Sequence, residues 1–247
     1  MRKAIIFLLS VFSVFFIFTP LISYGAVVFE SVTTTTWGVV TSKSFSHTNT
    51  SGDALVLNSN NNGSLFLDQT TKPTYNGVSM TFIHNPSPGN GGKGEQWYLL
   101  APATGTNTVV LTFSGTTEAG NAAIMSLTGV ATSDAIGTTY VGTGPGTPYS
   151  KEITTVGDNS MIVVALRKNS TTVNAAATGT NQTLRHDIGG IAESSMAGST
   201  QTTSGAGNYT NSFTFADASV YVGIFEIKAS AVAATPVAPQ PIIIWYD

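Results

Sequence analysis

The chain of 247 residues has no cysteine, only 9% charged residues and a formal net charge of −3. Typical globular proteins have about 25% charged residues, so Ser, Thr, Asn and Gly must cover much of this surface. The acidic balance argues against non-specific nucleic-acid binding, which needs clustered Lys and Arg. Without cysteine no disulfide can form, so stability must come from a hydrophobic core.

The N-terminus has the pattern of a secretory signal peptide. Two basic residues precede an apolar run over residues 4–18, Pro20 interrupts the run, and small residues allow cleavage after Gly25 or Ala26. We therefore expect a signal peptide over residues 1–25 and a secreted or cell-surface protein. The alternative is an uncleaved anchor, because residues 4–22 approach the length of about 20 residues that a membrane-spanning helix needs. Membrane contact is expected only through this leader.

The rest of the chain predicts β-strands in chain order. The hairpin Thr74–Ser79 has Asn76-Gly77 at its turn, and residues 109–113 alternate apolar and polar side chains. Residues 161–166, 212–215 and 220–227 also have strand patterns, and the first and last of these are apolar on both faces, as in central strands.

Turn-forming residues punctuate these strands. The segments with turn signals are residues 60–63, 86–94, 104–107, 142–148 and 157–159. Many short strands with frequent turns predict an all-β fold, a two-sheet antiparallel sandwich of jelly-roll type. No clean internal repeat is visible, and the alternative is two halves too diverged to recognise. The Ser/Gly/Ala/Thr-rich stretch 194–208 predicts a loop or a weak edge strand.

The predicted sandwich spans residues 26–228. An Ala/Pro/Val-rich linker follows at residues 229–241, and the chain ends in the apolar hexapeptide IIIWYD at residues 242–247. Three alternatives remain for this tail: it packs on its own domain, it is the start of a longer segment, or it adds a strand to the sheet edge of a partner.

Several segments together carry a family resemblance: TYNGVSMT (residues 74–81), QWYLLAPATGTNTVVLTFSG (residues 96–115), AIMSLTGV (residues 123–130) and VGIFEIKAS (residues 222–230). Their order resembles an uncharacterised β-sandwich domain family that recurs in bacterial secreted, surface and phage-associated proteins. The resemblance implies a sandwich fold and an extracellular location, and it carries no catalytic residues. Residues 142–207 depart from the pattern, so a specific function could lie there.

The chain offers little for acid–base catalysis. Its histidines are His47, His84 and His186, and only His186 has a neighbouring carboxylate, Asp187. Neighbours on a strand point to opposite faces, so we interpret this pair as a polar strand end rather than part of a Ser-His-Asp triad. We expect His47 to be a half-buried packing residue beside Phe45, and His84 to be solvated at a loop rim.

Glu95 beside Trp97 and Tyr98 is the best candidate for a glycosidase carboxylate, because aromatic rings stack on sugars. The same residues also predict a core strand with Trp97 and Leu99 on one face, and we prefer that interpretation. A structural Ca²⁺ is a further hypothesis, since hard cations take oxygen ligands. It has no defined ligand set, because the aspartates are scattered singly: Asp53, Asp68, Asp158 and Asp217.

The sequence therefore predicts a non-enzymatic structural or adhesive module, with no resident cofactor and with a surface glycan or another surface protein as partner. The alternative is a carbohydrate-binding module that uses surface aromatics; the candidate ligand-binding residues are Tyr75, Tyr140, Tyr149 and Tyr209. A hydrolase is a minor alternative. The oligomeric state is not set by the sequence.

Overall fold

The computed structural model describes residues 23–50, 52–62, 67, 69–85, 93–145, 148–168, 175–189, 195–215 and 219–232. The tail beyond residue 232 and all but the end of the predicted signal peptide lie outside these residues. Within the described ranges every regular element is a β-strand. No helix there is long and apolar enough to span a membrane.

The N-terminal sandwich consists of two antiparallel sheets, which we call the first inner and the first outer sheet. The first inner sheet has the order β2-β10-β4-β8-β7, and the first outer sheet has the order β3-β9-β5-β6. The strands are β2 (Val28–Trp37), β3 (Ser42–Asn49), β4 (Ala54–Asn61), β5 (Thr74–Tyr75), β6 (Val78–Ser79), β7 (Thr81–His84), β8 (Lys93–Leu100), β9 (Gly105–Thr112) and β10 (Gly120–Thr128).

The C-terminal sandwich repeats this arrangement. The second inner sheet has the order β11-β18-β13-β16-β15, and the second outer sheet has the order β12-β17-β14. The strands are β11 (Ile136–Pro145), β12 (Tyr149–Thr155), β13 (Met161–Lys168), β14 (Ala176–Ala177), β15 (Gln182–Ile188), β16 (Ser195–Thr202), β17 (Gly207–Thr214) and β18 (Ser219–Ile227). A short pair, β1 (Ser23–Tyr24) with β19 (Ala231–Val232), joins the two ends of the described chain.

The four sheets stack as four layers, because the central strands are buried on both faces. On β4, Leu55 and Leu57 pack toward the first outer sheet, whereas Ala54 and Val56 pack on the second inner sheet. One core lies inside each sandwich, around Trp97 in the first and Phe213 in the second. A third core fills the interface between the two inner sheets.

The two sandwiches have the same topology, except that β6 of the first outer sheet has no counterpart among the described strands of the second. Going along each inner sheet, β2, β10, β4, β8 and β7 correspond to β11, β18, β13, β16 and β15. The equivalent edge strands also carry equivalent register shifts: one before His84 on β7 and one before His186 on β15. A second pair of shifts lies on β2 opposite residues 126–127 and on β11 opposite residues 225–227. The chain is therefore an internal duplication.

A faint sequence trace of this duplication is visible once the strands are aligned. The segment GTNTVVLTF at residues 105–113 corresponds to GNYTNSFTF at residues 207–215, and TFIH at residues 81–84 corresponds to TLRH at residues 183–186. Across the inner interface, β2 contacts β15 and β10 contacts β16. Each strand of one inner sheet thus faces a strand from the other end of the equivalent order, so the two inner sheets face each other in reversed strand order. This arrangement relates the two sandwiches by an approximate twofold axis.

The predicted all-β antiparallel fold is confirmed, although the described strands form five sheets rather than two. The predicted hairpin is also confirmed: β5 pairs with β6, and Asn76 and Gly77 have φ of 50° and 75°, as a type I′ turn requires. β13 and β18 are interior strands of the second inner sheet, as their two apolar faces predicted.

Five predicted turns or loops are wrong in part. Asn60 and Asn61 end the buried strand β4, and residues 93–94, 105–107 and 142–145 belong to β8, β9 and β11, respectively. The stretch 194–208 contains β16, a buried strand next to the sheet edge. Small side chains suit this position because residues of the facing sheet and of β15 pack over it. β-Pairing also continues beyond residue 228, the predicted end of the sandwich, because Ala229 forms an antiparallel bridge with Val130.

Candidate functional site

The four candidate tyrosines do not form one surface. Tyr75 is fully buried in the N-terminal core, where its hydroxyl donates to the carbonyls of Gly105 and His47, at 3.1 and 3.3 Å. Tyr149 is 7% exposed, in the C-terminal core. The expectation that these two rings lie on the surface is therefore wrong, because their strands turn them inward.

Tyr140 and Tyr209 are half-buried and lie on the C-terminal sandwich. The Lys151 ammonium lies 4.2 Å from the centre of the Tyr140 ring, so one face of that ring is covered. The Tyr209 hydroxyl donates to the carbonyl of Gly205 at 2.8 Å and accepts from the amide of Ser204 at 3.1 Å. Ligand binding by these two residues stays a prediction.

His47 is buried between the two sheets of the N-terminal sandwich. Its Nε2 lies 2.7 Å from the Ser126 hydroxyl and its Nδ1 lies 2.9 Å from the Thr33 hydroxyl. Burial lowers the pKa of His47 to about 4. A Ser–His hydrogen bond of this length could activate a nucleophile. However, Ser126 is fully buried and the third partner is a hydroxyl, so this group holds the sandwich together.

Glu95 is buried in the N-terminal core on the same face as Trp97 and Leu99, as the core-strand interpretation predicted. Its carboxyl oxygens accept hydrogen bonds from the Leu67 amide at 2.7 Å and from the Gln69 side chain at 2.9 Å. Burial raises the pKa of Glu95 to about 8, against the lowering effect of these two donors. The Glu95 carboxyl thus holds the segment of Leu67 and Gln69 in place. Trp97 is fully buried, so its ring is not accessible for stacking on a sugar.

The aspartates that could have held calcium are used separately. Asp53 accepts a hydrogen bond from the Gly129 amide, and Asp158 accepts one from the Ala206 amide. Among the described residues no group of three or more His, Cys, Asp or Glu could hold a metal ion. Asp68 and Asp217 lie outside the described residues.

The most extended polar cluster lies between the two inner sheets, and we call it the interface chain: His84, Gln96, Asn58 and His186. The Nε2 of His84 is hydrogen-bonded to Oε1 of Gln96, and Nε2 of Gln96 donates to Oδ1 of Asn58 at 2.9 Å. Nδ2 of Asn58 faces Nε2 of His186 at 3.4 Å. Gln96 and Asn58 are fully buried, and the chain crosses the interface between the inner sheets from β7 to β15.

A second polar contact lies beside the interface chain. The Arg167 guanidinium is buried, and its Nε donates to Oδ1 of Asn60. Nδ2 of Asn60 donates to the carbonyl of Ser195 at 3.0 Å, which ties β4 to β16 of the other sandwich. The guanidinium lies 5.4 Å from the centre of the Tyr221 ring. Burial lowers the pKa of Arg167 to about 10, which leaves it charged at neutral pH.

His84 and His186 occupy equivalent positions of the two sandwiches. His186 is 6% exposed, and burial lowers its pKa to about 4. The prediction that His84 is solvated is wrong: the residue is half-buried, because its ring packs edge-on against the Phe225 ring, with 6.2 Å between the ring centres. Burial lowers the pKa of His84, and its bond to Gln96 opposes this shift. Asp187 points to the other face, as the strand geometry predicted, and accepts the Ala175 amide at 3.0 Å.

Sequence reasoning missed Asn58, Asn60, Gln96 and Arg167. The signal was present on β4, where the alternate residues Ala54, Val56, Asn58 and Asn60 change from apolar to amide side chains along one face. Recognising it requires knowing that a second sheet covers that face.

The outer faces of the molecule are rich in hydroxyl groups. On the first outer sheet the outward pairs are Ser42 with Thr112, Ser44 with Val110, Ser46 with Thr108 and Thr48 with Thr106. The second outer sheet pairs Ser150 with Ser212, Glu152 with Thr210 and Thr154 with Asn208. Both faces are nearly uncharged over the described strands, and neither carries an outward aromatic ring.

A shallow cleft of about 560 Å³ lies at the end where the two sandwiches are joined. Val156, Asp158 and the ion pair of Asp134 with Lys228 line it, beside the peptide groups of residues 229–231. The predicted cleavage residues are near this end: the Gly25 amide donates to the Ser230 carbonyl at 3.2 Å, and Ala26 lies against Gly129. Cleavage at either residue stays a prediction.

Comparisons with protein-family models, with curated proteins and with solved structures each give no match. The resemblance to a bacterial β-sandwich family therefore stays a prediction from the sequence.

Proposed function

We propose that the protein is an exported, non-enzymatic module with a structural or adhesive role at a bacterial surface. The observation that carries this proposal is the pair of broad, hydroxyl-rich outer sheet faces on opposite sides of the double sandwich. Ser and Thr hydroxyls donate and accept hydrogen bonds, so such faces suit a hydroxylated or peptide-bearing partner. The His47 ring and the Glu95 carboxyl, by contrast, are buried and hydrogen-bonded inside the N-terminal sandwich.

The two equivalent outer residues Thr108 and Thr210 provide a matched test of this proposal. The mature protein and the variants Thr108→Glu and Thr210→Glu are tested for retention on whole bacterial cells, with circular dichroism as the folding control. A carboxylate placed on the recognition face should reduce retention at least about tenfold for one of the two variants. Wild-type retention by both variants, or no retention of the wild-type protein, contradicts the proposed adhesive face.

The alternative function is carbohydrate binding through Tyr140 and Tyr209. A glycan array with the mature protein tests it, because a defined sugar that loses binding in Tyr140→Ala or Tyr209→Ala would replace the adhesive proposal. Turnover of any polysaccharide in a reducing-end assay would contradict the non-enzymatic role.

A further inference from the structure

The two sandwiches are joined by a hydrogen-bond chain whose ends are symmetry-equivalent histidines. His84 and His186 each follow the same register shift on equivalent edge strands. The two amides between them, Gln96 and Asn58, both belong to the first inner sheet, and the crossing to the second inner sheet is made at His186. Gly198 makes this crossing possible, because a Cβ at that position would lie 2.2 Å from Nε2 of His186.

The chain has a direction. Oε1 of Gln96 can only accept, so Nε2 of His84 carries a proton and donates it. Gln96 then donates to Asn58, and Nδ2 of Asn58 can only donate, so Nε2 of His186 must be unprotonated. The two equivalent histidines are thus held in opposite tautomers, with the proton of neutral His186 on Nδ1.

The chain holds only one Nε2 proton in either direction, so reversing it moves that proton from one histidine to the other and adds none. If Nε2 of His186 becomes a donor, Asn58 must turn its oxygen toward it, and Gln96 must turn in response, which requires Nε2 of His84 to accept. With both rings charged, both amide oxygens are needed at the ends. The two NH2 groups then face each other in the middle of a buried interface, where the facing N–H groups have no acceptor, which is unfavourable.

The charged groups around the two rings do not relieve this conflict. Arg167 on β13 shares the interface face with the chain, and Arg185 on β15 lies 3.9 Å from the ring centre of Phe29 on β2. Asp187 points away, to the Ala175 amide, and Glu30 lies on β2 beside Phe29. Among the described residues, the side chains in contact with the rings are neutral: Gln96 and Phe225 at His84, and Asn58 at His186.

We infer that the interface chain is an acid-sensitive latch: protonation of His84 and His186 breaks its central hydrogen bond and loosens the contact between the two sandwiches, while each sandwich keeps its own core. His84 takes the first proton on Nδ1, because its existing bond to Gln96 is unaffected. His186 takes the second and breaks the chain. The third histidine, His47, lies inside the N-terminal sandwich and does not belong to the latch.

Histidine-ring NMR on the unmodified mature protein tests the starting state. At pH 7.5 we expect the Nε2-protonated tautomer for His84 and the Nδ1-protonated tautomer for His186. On acidification, His84 should titrate before His186. The same tautomer in both rings, or titration of His186 first, overturns the latch.

Distance measurements test the opening. The chain has no native cysteine, so Ser46→Cys and Thr210→Cys place one spin label on each outer face, away from the interface. We expect a narrow distance distribution at pH 7.5 and a broader, longer one at pH 4, with unchanged strand content by circular dichroism. A narrow distribution at pH 4, or a loss of strand content together with the broadening, overturns the inference.

Substitution of the histidines tests whether the acid-induced broadening of the distance distribution depends on the interface chain. Combining His84→Gln with His186→Gln should abolish the acid-induced broadening, whereas His47→Gln should retain it. Broadening that persists in the double variant, or that disappears in His47→Gln, contradicts the assignment to the interface chain.

Discussion

Glu226 holds together one end of the C-terminal sandwich, and replacing it with Gln tests how much this buried carboxylate contributes. It is fully buried on β18, opposite the register shift of β11. Its oxygens accept the amides of Gly157 at 2.8 Å, Val156 at 3.0 Å and Thr138 at 3.2 Å. One carboxylate therefore satisfies three backbone donors, two in the turn after β12 and one on β11.

Glu226→Gln keeps the shape of the side chain but replaces one oxygen with an NH2 group. In either orientation of the amide at least one backbone N–H loses its acceptor, and the remaining bonds lose their charge. A buried unsatisfied donor costs about 1–3 kcal/mol, and bonds to charged groups are about twice as strong as neutral ones, so the free energy of unfolding should fall by about 2–4 kcal/mol. That is a large part of the 5–15 kcal/mol that stabilises a typical domain, as an order of magnitude.

Urea unfolding at pH 7.5, followed by circular dichroism, measures this change. Glu152→Gln is the matched control: Glu152 is exposed on β12, and its substitution should change the free energy of unfolding by less than about 0.5 kcal/mol. If Glu226→Gln costs no more than the control, the three amides do not depend on the carboxylate and the reasoning fails.

Three further predictions follow from buried contacts. Burial lowers the pKa of His47 and His186 from 6.5 to about 4, so both rings are neutral in the fold and take up protons on unfolding below pH 6.5. The free energy of unfolding should therefore be retained above pH 6.5 and fall by up to about 3 kcal/mol per histidine between pH 6.5 and 4. Urea titrations at pH 7.5 and 4.5 check this, and His47→Gln should reduce the difference. Gly120→Ala should cost more than about 2 kcal/mol, because its Cβ would lie 2.4 Å from the Trp37 ring and 2.5 Å from the Asn60 carbonyl. As a control, Gly38→Ala, whose Cβ would have no atom within 4 Å, should leave the free energy of unfolding nearly unchanged. Urea unfolding of both variants checks this. Tyr75→Phe should lower the free energy of unfolding by about 1 kcal/mol, through loss of the hydroxyl bonds, and leave retention on cells unchanged; a binding loss without destabilisation would restore the ligand role of Tyr75.

Strand content was predictable because it depends on local alternation. Val109, Leu111 and Phe113 are buried in the N-terminal core as their period of two indicates, and Asn76-Gly77 forms the expected turn. The tyrosines were less predictable. Tyr75 and Tyr149 occupy inward positions of their strands, and sequence alone does not say which face of a short strand is covered.

The duplication could not be read from the sequence because the two halves fill equivalent positions with different side chains. Where the N-terminal sandwich has Trp97 and Val109 in its core, the equivalent strands of the C-terminal sandwich place Ser199 and Asn211. The identities that remain, such as Gly105 with Gly207, Thr108 with Thr210 and Phe113 with Phe215, are too few to show a repeat in the sequence. For the same reason the polar interface was missed, since the Asn residues of β4 have the composition of a turn.

The stacking of four sheets also decides what the protein can touch. Packed sheets are about 10 Å apart, so the two outer faces lie about 30 Å from each other and look in opposite directions. A single flat partner can reach only one of them. If the proposed adhesive role is right and each face takes a partner, the two partners would be held about 30 Å apart.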